Sequence, residues 1–138
     1  MAGAEGPDGA LPGWVDGGTL GVRNQMGERA VAAFYELRQY KIQPGKMAEW
    51  LECMEKEIIP FQVGKGMVIT GSFRGETDES VYVWIRRFES EEQRVQLYKD
   101  VYESDFWKNT IAPRIPALLD RSGTVVQRIV PTSRSVAQ

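Results

Sequence analysis

The chain has 138 residues, with 17 Lys and Arg against 19 Asp and Glu for a formal charge of −2, one cysteine and no histidine. Without imidazole there is no Ser-His-Asp or Cys-His catalysis and no His-ligated zinc, iron or haem, and one thiol makes neither an intrachain disulfide nor a thiolate zinc site. The 42% apolar content predicts one cytoplasmic globular domain that neither spans a membrane nor binds nucleic acid: no apolar run nears the roughly 18 residues of a span, and no basic face is evident.

Eight of the 14 glycines lie in residues 1–33, where Trp14 is the only aromatic ahead of the body. That stretch also carries the whole net charge, because residues 34–138 balance. A Gly-rich polar chain buries too little surface to offset its ordering entropy, so residues 1–33 are expected to form a flexible arm. In an alternative, Leu11, Trp14, Val15 and Leu20 dock on the body or on a partner.

Phe34 to Ile42 alternates aromatic or branched residues with polar ones, which predicts a first strand. Gln43-Pro44-Gly45 is a turn. Met47, Trp50, Leu51, Met54 and Ile58 then share one helical face, and Pro60 is expected to end or kink that helix. Gly66 to Arg74 predicts a second strand, Gly75 to Ser80 a hairpin loop, and Val81 to Phe88 a third strand. Ser90-Glu91-Glu92-Gln93 has the form of a capping box. The helix after it is expected to turn Val95, Tyr98 and Tyr102 inward. Trp107, Ile111, Ile115 and Leu118 continue a helical face interrupted by Pro113 and Pro116. After a break at Gly123, Thr124 to Val130 predicts the last strand, and residues 134–138 a tail.

The order β-α-β-β-α-β predicts an α+β, ferredoxin-like domain over residues 34–133: an antiparallel four-stranded sheet with both helices on one face. Its second face would expose Tyr40, Trp84 and Phe88, so a homodimer by sheet-on-sheet packing is expected. Strand alternation sets Glu36, Arg38 and Tyr40 on one face, with Tyr82, Trp84 and Arg86 beside them, while Tyr35, Leu37, Val83 and Ile85 form the more apolar opposite face. The polar set is therefore expected to point into the dimer barrel and the apolar set to pack on the helices.

Such a lining has the pieces of a small-molecule site. Trp84 and Tyr40 offer flat walls, and Arg38 and Arg86 suit a carboxylate or phenolate. Glu36 is the candidate general base, with Arg38 and Tyr40 as its catalytic companions. Tyr82, Trp84, Arg86 and Gln127 are the candidate ligand-binding residues, Arg128 replacing Gln127 if the last strand is shifted. The competing reading is a buried Glu36–Arg38/Arg86 ion-pair network that fixes register and interface. Cys53 reads as a packing residue, and neither a metal nor a cofactor is expected.

Tyr35-Glu36-Leu37-Arg38-Gln39-Tyr40, Pro44-Gly45-Lys46, Phe88-Glu89-Ser90 with Arg94, Asp105-Phe106-Trp107 and Pro131-Thr132 stand in an order and spacing that resemble the NIPSNAP family of the dimeric α+β barrel superfamily. The resemblance implies a ferredoxin-like protomer whose sheet closes into a barrel with a second copy. Two features depart from the family pattern. A His and a Trp often stand two apart on the third strand, where this chain has Trp84 and Arg86, and Asp-Pro-x-Trp is here Asp105-Phe106-Trp107. The resemblance fixes no reaction. It leaves a barrel protein that binds a small organic acid or aromatic metabolite, a cofactor-independent isomerase, cyclase or monooxygenase, and a protein-interaction module without catalysis.

Overall fold

The computed structural model describes residues 33–138, so the expected arm lies outside the described residues but for Ala33. The elements are β1 (Phe34–Ile42), α1 (residues 47–65), β2 (Val68–Arg74), β3 (Val81–Phe88), α2 (Glu91–Tyr102), α3 (residues 107–118) and β4 (Leu119–Ile129). The strands form one antiparallel sheet in the order β2-β3-β1-β4, the ferredoxin-like arrangement.

Local chemistry sets the ends of these elements. Gly45 turns the chain into α1 with φ +74°, and Gly66 ends α1 in the left-handed conformation with φ +112°. Ser90 Oγ accepts from the Gln93 amide at 3.1 Å and caps α2, while the Gln93 side chain reaches one residue further back than expected, to the Glu89 amide.

Pro60 does not end its helix. The α1 helix is α-helical over Met47–Cys53, widens to π-helix over Met54–Ile58, and is α-helical again over Ile59–Lys65. Proline lacks an N–H and crowds the preceding turn, and here that turn is the wide one. The α3 helix opens with a second π-helical stretch, Trp107–Ile111, followed by the short segments Ala112–Arg114 and Ile115–Leu118.

The last strand also starts earlier than expected and runs through Gly123. Its pairing with β1 is irregular between Gln39 and Lys41, and a Cβ at Gly123 would lie 2.6 Å from Lys41 Cβ. The glycine lets two backbones approach rather than breaking the strand.

The sheet faces the reverse of the way expected. Glu36, Arg38, Tyr40, Tyr82, Trp84, Arg86 and Phe88 are all buried against the protein's own helices. Their partners explain this. Trp50 of α1 packs edge-on to Tyr40 and Tyr82, and Tyr98 and Tyr102 of α2 supply hydroxyls to the charged residues. A buried charge is tolerated where it is bonded, and the helix layer offers those bonds. Leu37, Val83 and Ile85 lie on the other face, which also carries Phe73 at 55% exposed, Val125 at 48% and Val68 at 47%.

The α2 helix turns Tyr98 and Tyr102 inward as expected, but not Val95. Arg94, Leu97 and Val101 are buried with Tyr102, and Val95 is exposed. Beneath the sheet, Met54, Ile58, Trp107, Ile111 and Ile115 complete the core, each large side chain contributing about 1.5–3 kcal/mol by burial. The chain after Thr132 turns back onto the sheet. The Gln138 carbonyl accepts from Tyr35 Oη at 3.0 Å and Arg87 Nε at 2.7 Å.

Candidate functional site

The polar heart of the protein lies between sheet and helices, built on the central strands β1 and β3. Glu36 stands opposite Arg86 in the β1–β3 register, and both point into the helix layer. Glu36 Oε1 accepts from Arg38 Nη1 at 3.0 Å, Arg86 Nη2 at 3.0 Å and Tyr98 Oη at 2.8 Å. The Tyr98 oxygen in turn accepts from Arg38 and Arg86, each at 2.8 Å. Arg86 Nη1 donates to Gln62 Oε1 and to Tyr102 Oη, both at 2.9 Å.

Aromatic rings hold the guanidiniums in place. The Arg86 guanidinium carbon sits 4.7 Å from the Trp84 ring centre and 5.2 Å from that of Tyr98, and Arg94 stacks on Tyr98 at 4.6 Å. Arg94 also clasps Glu91 with two nitrogens, and Arg128 binds the same carboxylate at 2.9 Å. Burial pushes the Glu91 carboxyl up, but the bonds and charges of Arg94 and Arg128 outweigh it and hold the group below its usual range.

Glu36 Oε2, Arg86 Nε and Arg94 Nη1 are buried atoms of this cluster that make no hydrogen bond among the described residues. Glu36 Oε2 and Arg94 Nη1 face each other at 3.8 Å, beyond hydrogen-bond length. Glu36 therefore serves three donors through one oxygen, while Arg86 Nε and Arg94 Nη1 find no hydrogen-bond acceptor among the described residues.

An aromatic group adjoins the cluster. Trp84 Nε1 donates to Tyr40 Oη at 3.1 Å, and Tyr82 Oη pairs with Ser72 Oγ at 2.6 Å. Burial raises the Tyr40 phenol above its usual value, and it raises Tyr98 against the opposing pull of Arg38 and Arg86. Tyr82 is pushed up to about 12, also by burial. All three phenols are thereby kept protonated to higher pH than an exposed tyrosine.

The structure brings six of the seven expected residues together: Glu36, Arg38 and Arg86 in the ion-pair cluster, and Tyr40, Tyr82 and Trp84 beside it. It does not bring Gln127, which lies exposed on the opposite face against Leu37. Because the last strand is paired with Glu36 opposite Arg128, it is Arg128 that reaches the helix side. Gln62, Glu91, Arg94 and Tyr102 belong to the cluster and were not expected there. One signal for them stood in the sequence: Arg94, Tyr98 and Tyr102 are spaced by four, a helical stripe of polar tips.

Cys53 is buried, with Arg114 Nη2 at 3.3 Å from its sulfur, and burial raises its thiol. Among the described residues no group of three His, Cys, Asp or Glu stands ready to hold a metal, and no helix is long and apolar enough to cross a membrane.

Comparison with known proteins gives this geometry relatives. The NIPSNAP family model matches residues 35–134. A NIPSNAP family protein from Agrobacterium tumefaciens superposes with a TM-score of 0.67 at 25% identity, over 75% of this chain and 90% of that one. A second one from the same organism, of unknown function, gives 0.68 at 23% over 79% and 96%. A NIPSNAP-like domain protein from Burkholderia xenovorans gives 0.68 at 22% identity over 76% and 90%. No curated protein matches.

Proposed function

The chain belongs to the NIPSNAP family, and from that premise we propose that it is a cytoplasmic homodimer that binds a small organic acid between its sheet and its helices. One observation carries the binding reading: the buried Arg86 Nε and Arg94 Nη1 have no acceptor within the described residues. A buried donor left unpaired costs about 1–3 kcal/mol, more when charged, and an oxygen of an organic acid is an acceptor that meets it. The ion-pair network read as the alternative is present, but it leaves those groups unmet. The rings of Trp84 and Tyr98 beside Arg86 favour an acid with a flat apolar body.

The same groups support binding ahead of catalysis. A cofactor-free isomerase, cyclase or monooxygenase needs a base, and Glu36 Oε1 already carries three donors while Oε2 faces Arg94. The dimer reading rests on the open sheet face with Val68, Phe73, Val125 and Ile129 exposed, an apolar patch of the kind that marks an interface.

Two measurements test the proposal. Calorimetric titration with benzoate and 4-hydroxybenzoate is expected to show saturable binding, weakened about tenfold or more by Arg94→Gln. No heat from either acid at millimolar concentration overturns the binding reading. Light scattering is expected to give twice the 15.6 kDa chain mass, and Phe73→Glu to give a monomer. A wild-type monomer at micromolar concentration overturns the dimer.

A further inference from the structure

The outer edge of the cluster holds a carboxylate already. Glu91, the first residue of α2, lies in a fork made by Arg94, whose Nε is 3.1 Å from Oε1 and whose Nη2 is 2.8 Å from Oε2. Arg128 Nη1 closes on Oε1 from β4 at 2.9 Å. Two parallel N–H···O bonds from one guanidinium, capped by a second guanidinium, are what a bound organic carboxylate receives.

The two arginines do not depend on Glu91 for their positions. Arg94 stacks on Tyr98 at 4.6 Å and Arg128 on Phe34 at 3.9 Å. Arg94 is also buried, at 2% exposed, with its remaining Nη1 3.8 Å from Glu36 Oε2 and without a hydrogen bond among the described residues. Glu91 is the most solvent-exposed of the three, its side chain at 22% against 15% for Arg128. So the fork is held by rings from inside, while its occupant stands at the solvent edge.

We propose that Glu91 is a built-in occupant of the ligand's carboxylate position: the incoming acid displaces it from Arg94 and Arg128, and enters between α2 and β4. This inference rests on the acid-binding reading above and adds to it the seat, the route and the residue that competes. No atom of the fork needs to move. Glu91 rotates into water, where a carboxylate is fully solvated, and the ligand's carboxylate takes its three bonds. Arg94 Nη1 and Arg86 Nε, deeper in the layer, remain for a second acceptor on the same ligand, such as a phenol or keto oxygen. Glu91 thereby sets one threshold for every acid alike, and the second contact decides which acid passes it.

Calorimetry with benzoate and 4-hydroxybenzoate decides the matter, with thermal melts to show that each variant is folded. Glu91→Gln keeps the shape and removes the competing charge, so affinity for both acids is expected to rise about tenfold. Arg128→Gln in the E91Q background is expected to return affinity toward the wild-type value. The ratio of affinities for 4-hydroxybenzoate and benzoate is expected to exceed unity in wild type and to stay the same in E91Q, because the resident side chain taxes both acids equally. If wild type binds and E91Q binds equally or more weakly, the seat assignment is overturned while the acid-binding reading stands. If neither wild type nor E91Q binds, both fall.

Discussion

Glu36→Gln probes the centre of the fold with a change of charge and almost none of shape. Glu36 is fully buried and takes three donors on Oε1, two of them from the fully buried guanidiniums of Arg38 and Arg86. A glutamine amide oxygen still accepts at that position, so packing survives, but two cations lose the carboxylate they face. Removing one partner of a buried pair costs about 3–5 kcal/mol, because the charge left behind has no water to turn to. That is a large share of the roughly 5–15 kcal/mol of a single domain, and for a domain near 100 residues it lowers Tm by over 10 °C, at about 4–8 °C per kcal/mol. Urea titration at pH 7 measures it, with an unchanged slope expected if only the pair is lost. A loss below about 1 kcal/mol, the range of exposed pairs, would mean that water reaches the cluster and that the energetic argument is wrong. The Glu36→Leu/Arg86→Met double variant should recover part of the loss, since apolar isosteres often replace a buried pair at little cost.

Alkaline pH offers a second test. Burial raises the phenols of Tyr40, Tyr98 and Tyr82, the last to about 12. Above pH 10 the unfolded chain releases these protons while the folded one keeps them, so stability present below pH 10 falls as pH rises toward 12. Tyr82 alone accounts for about 3 kcal/mol of that fall at 1.36 kcal/mol per unit. Absorbance titration should show tyrosines held back past pH 11 until the protein unfolds; full ionisation near pH 10 in the native state contradicts the burial. Gly123→Ala brings a Cβ to 2.6 Å from Lys41 Cβ and 3.1 Å from its Cδ, and is expected to cost about 1–3 kcal/mol. Gly64→Ala, with open space around its Cβ, is the control and should stabilise α1 by up to about 1 kcal/mol. Equal melts for the two variants would refute the close approach.

The order of elements was legible because each period is local: alternation in Phe34–Ile42 and Val81–Phe88, a helical stripe from Met47. The facing was not. Alternation says that Glu36, Arg38, Tyr82 and Arg86 share a side, but not which side meets the helices. Their charges argued for the far side, and the deciding partners, Gln62 and Tyr102, lie 26 and 66 residues beyond Glu36. Gln62 carried a hint in its spacing, for it continues the row Trp50, Met54, Ile58 at steps of four, where a lone polar residue marks a buried hydrogen bond. Pro60 hid that hint, since ending the helix there removed Gln62 from it. Gly123 hides its role for a similar reason: glycine suggests a break, and only the neighbouring strand at Lys41 shows that it permits an approach.

The wide turn at Met54–Ile58 sets the rotational phase of everything after it. In a regular α-helix a row spaced by four drifts about 40° per step, so Gln62 would stand about 120° around the axis from Trp50. The widened turn absorbs that drift, and Trp50, Met54, Ile58 and Gln62 are all buried on one line beneath the sheet. The row Trp107, Ile111, Ile115 is treated the same way by the turn at Trp107–Ile111. Forcing regular α winding on these residues at unchanged length would therefore do more than tighten a helix. It would swing Gln62 about 100° away from Arg86 and Tyr102, and uncouple the two helices' shared grip on the arginine cluster. Deleting one residue from Met54–Ile58 has the opposite effect: eleven regular steps leave Gln62 only about 20° from Trp50, so the grip survives. The wide turn thus stores one surplus residue without disturbing the site on either side of it.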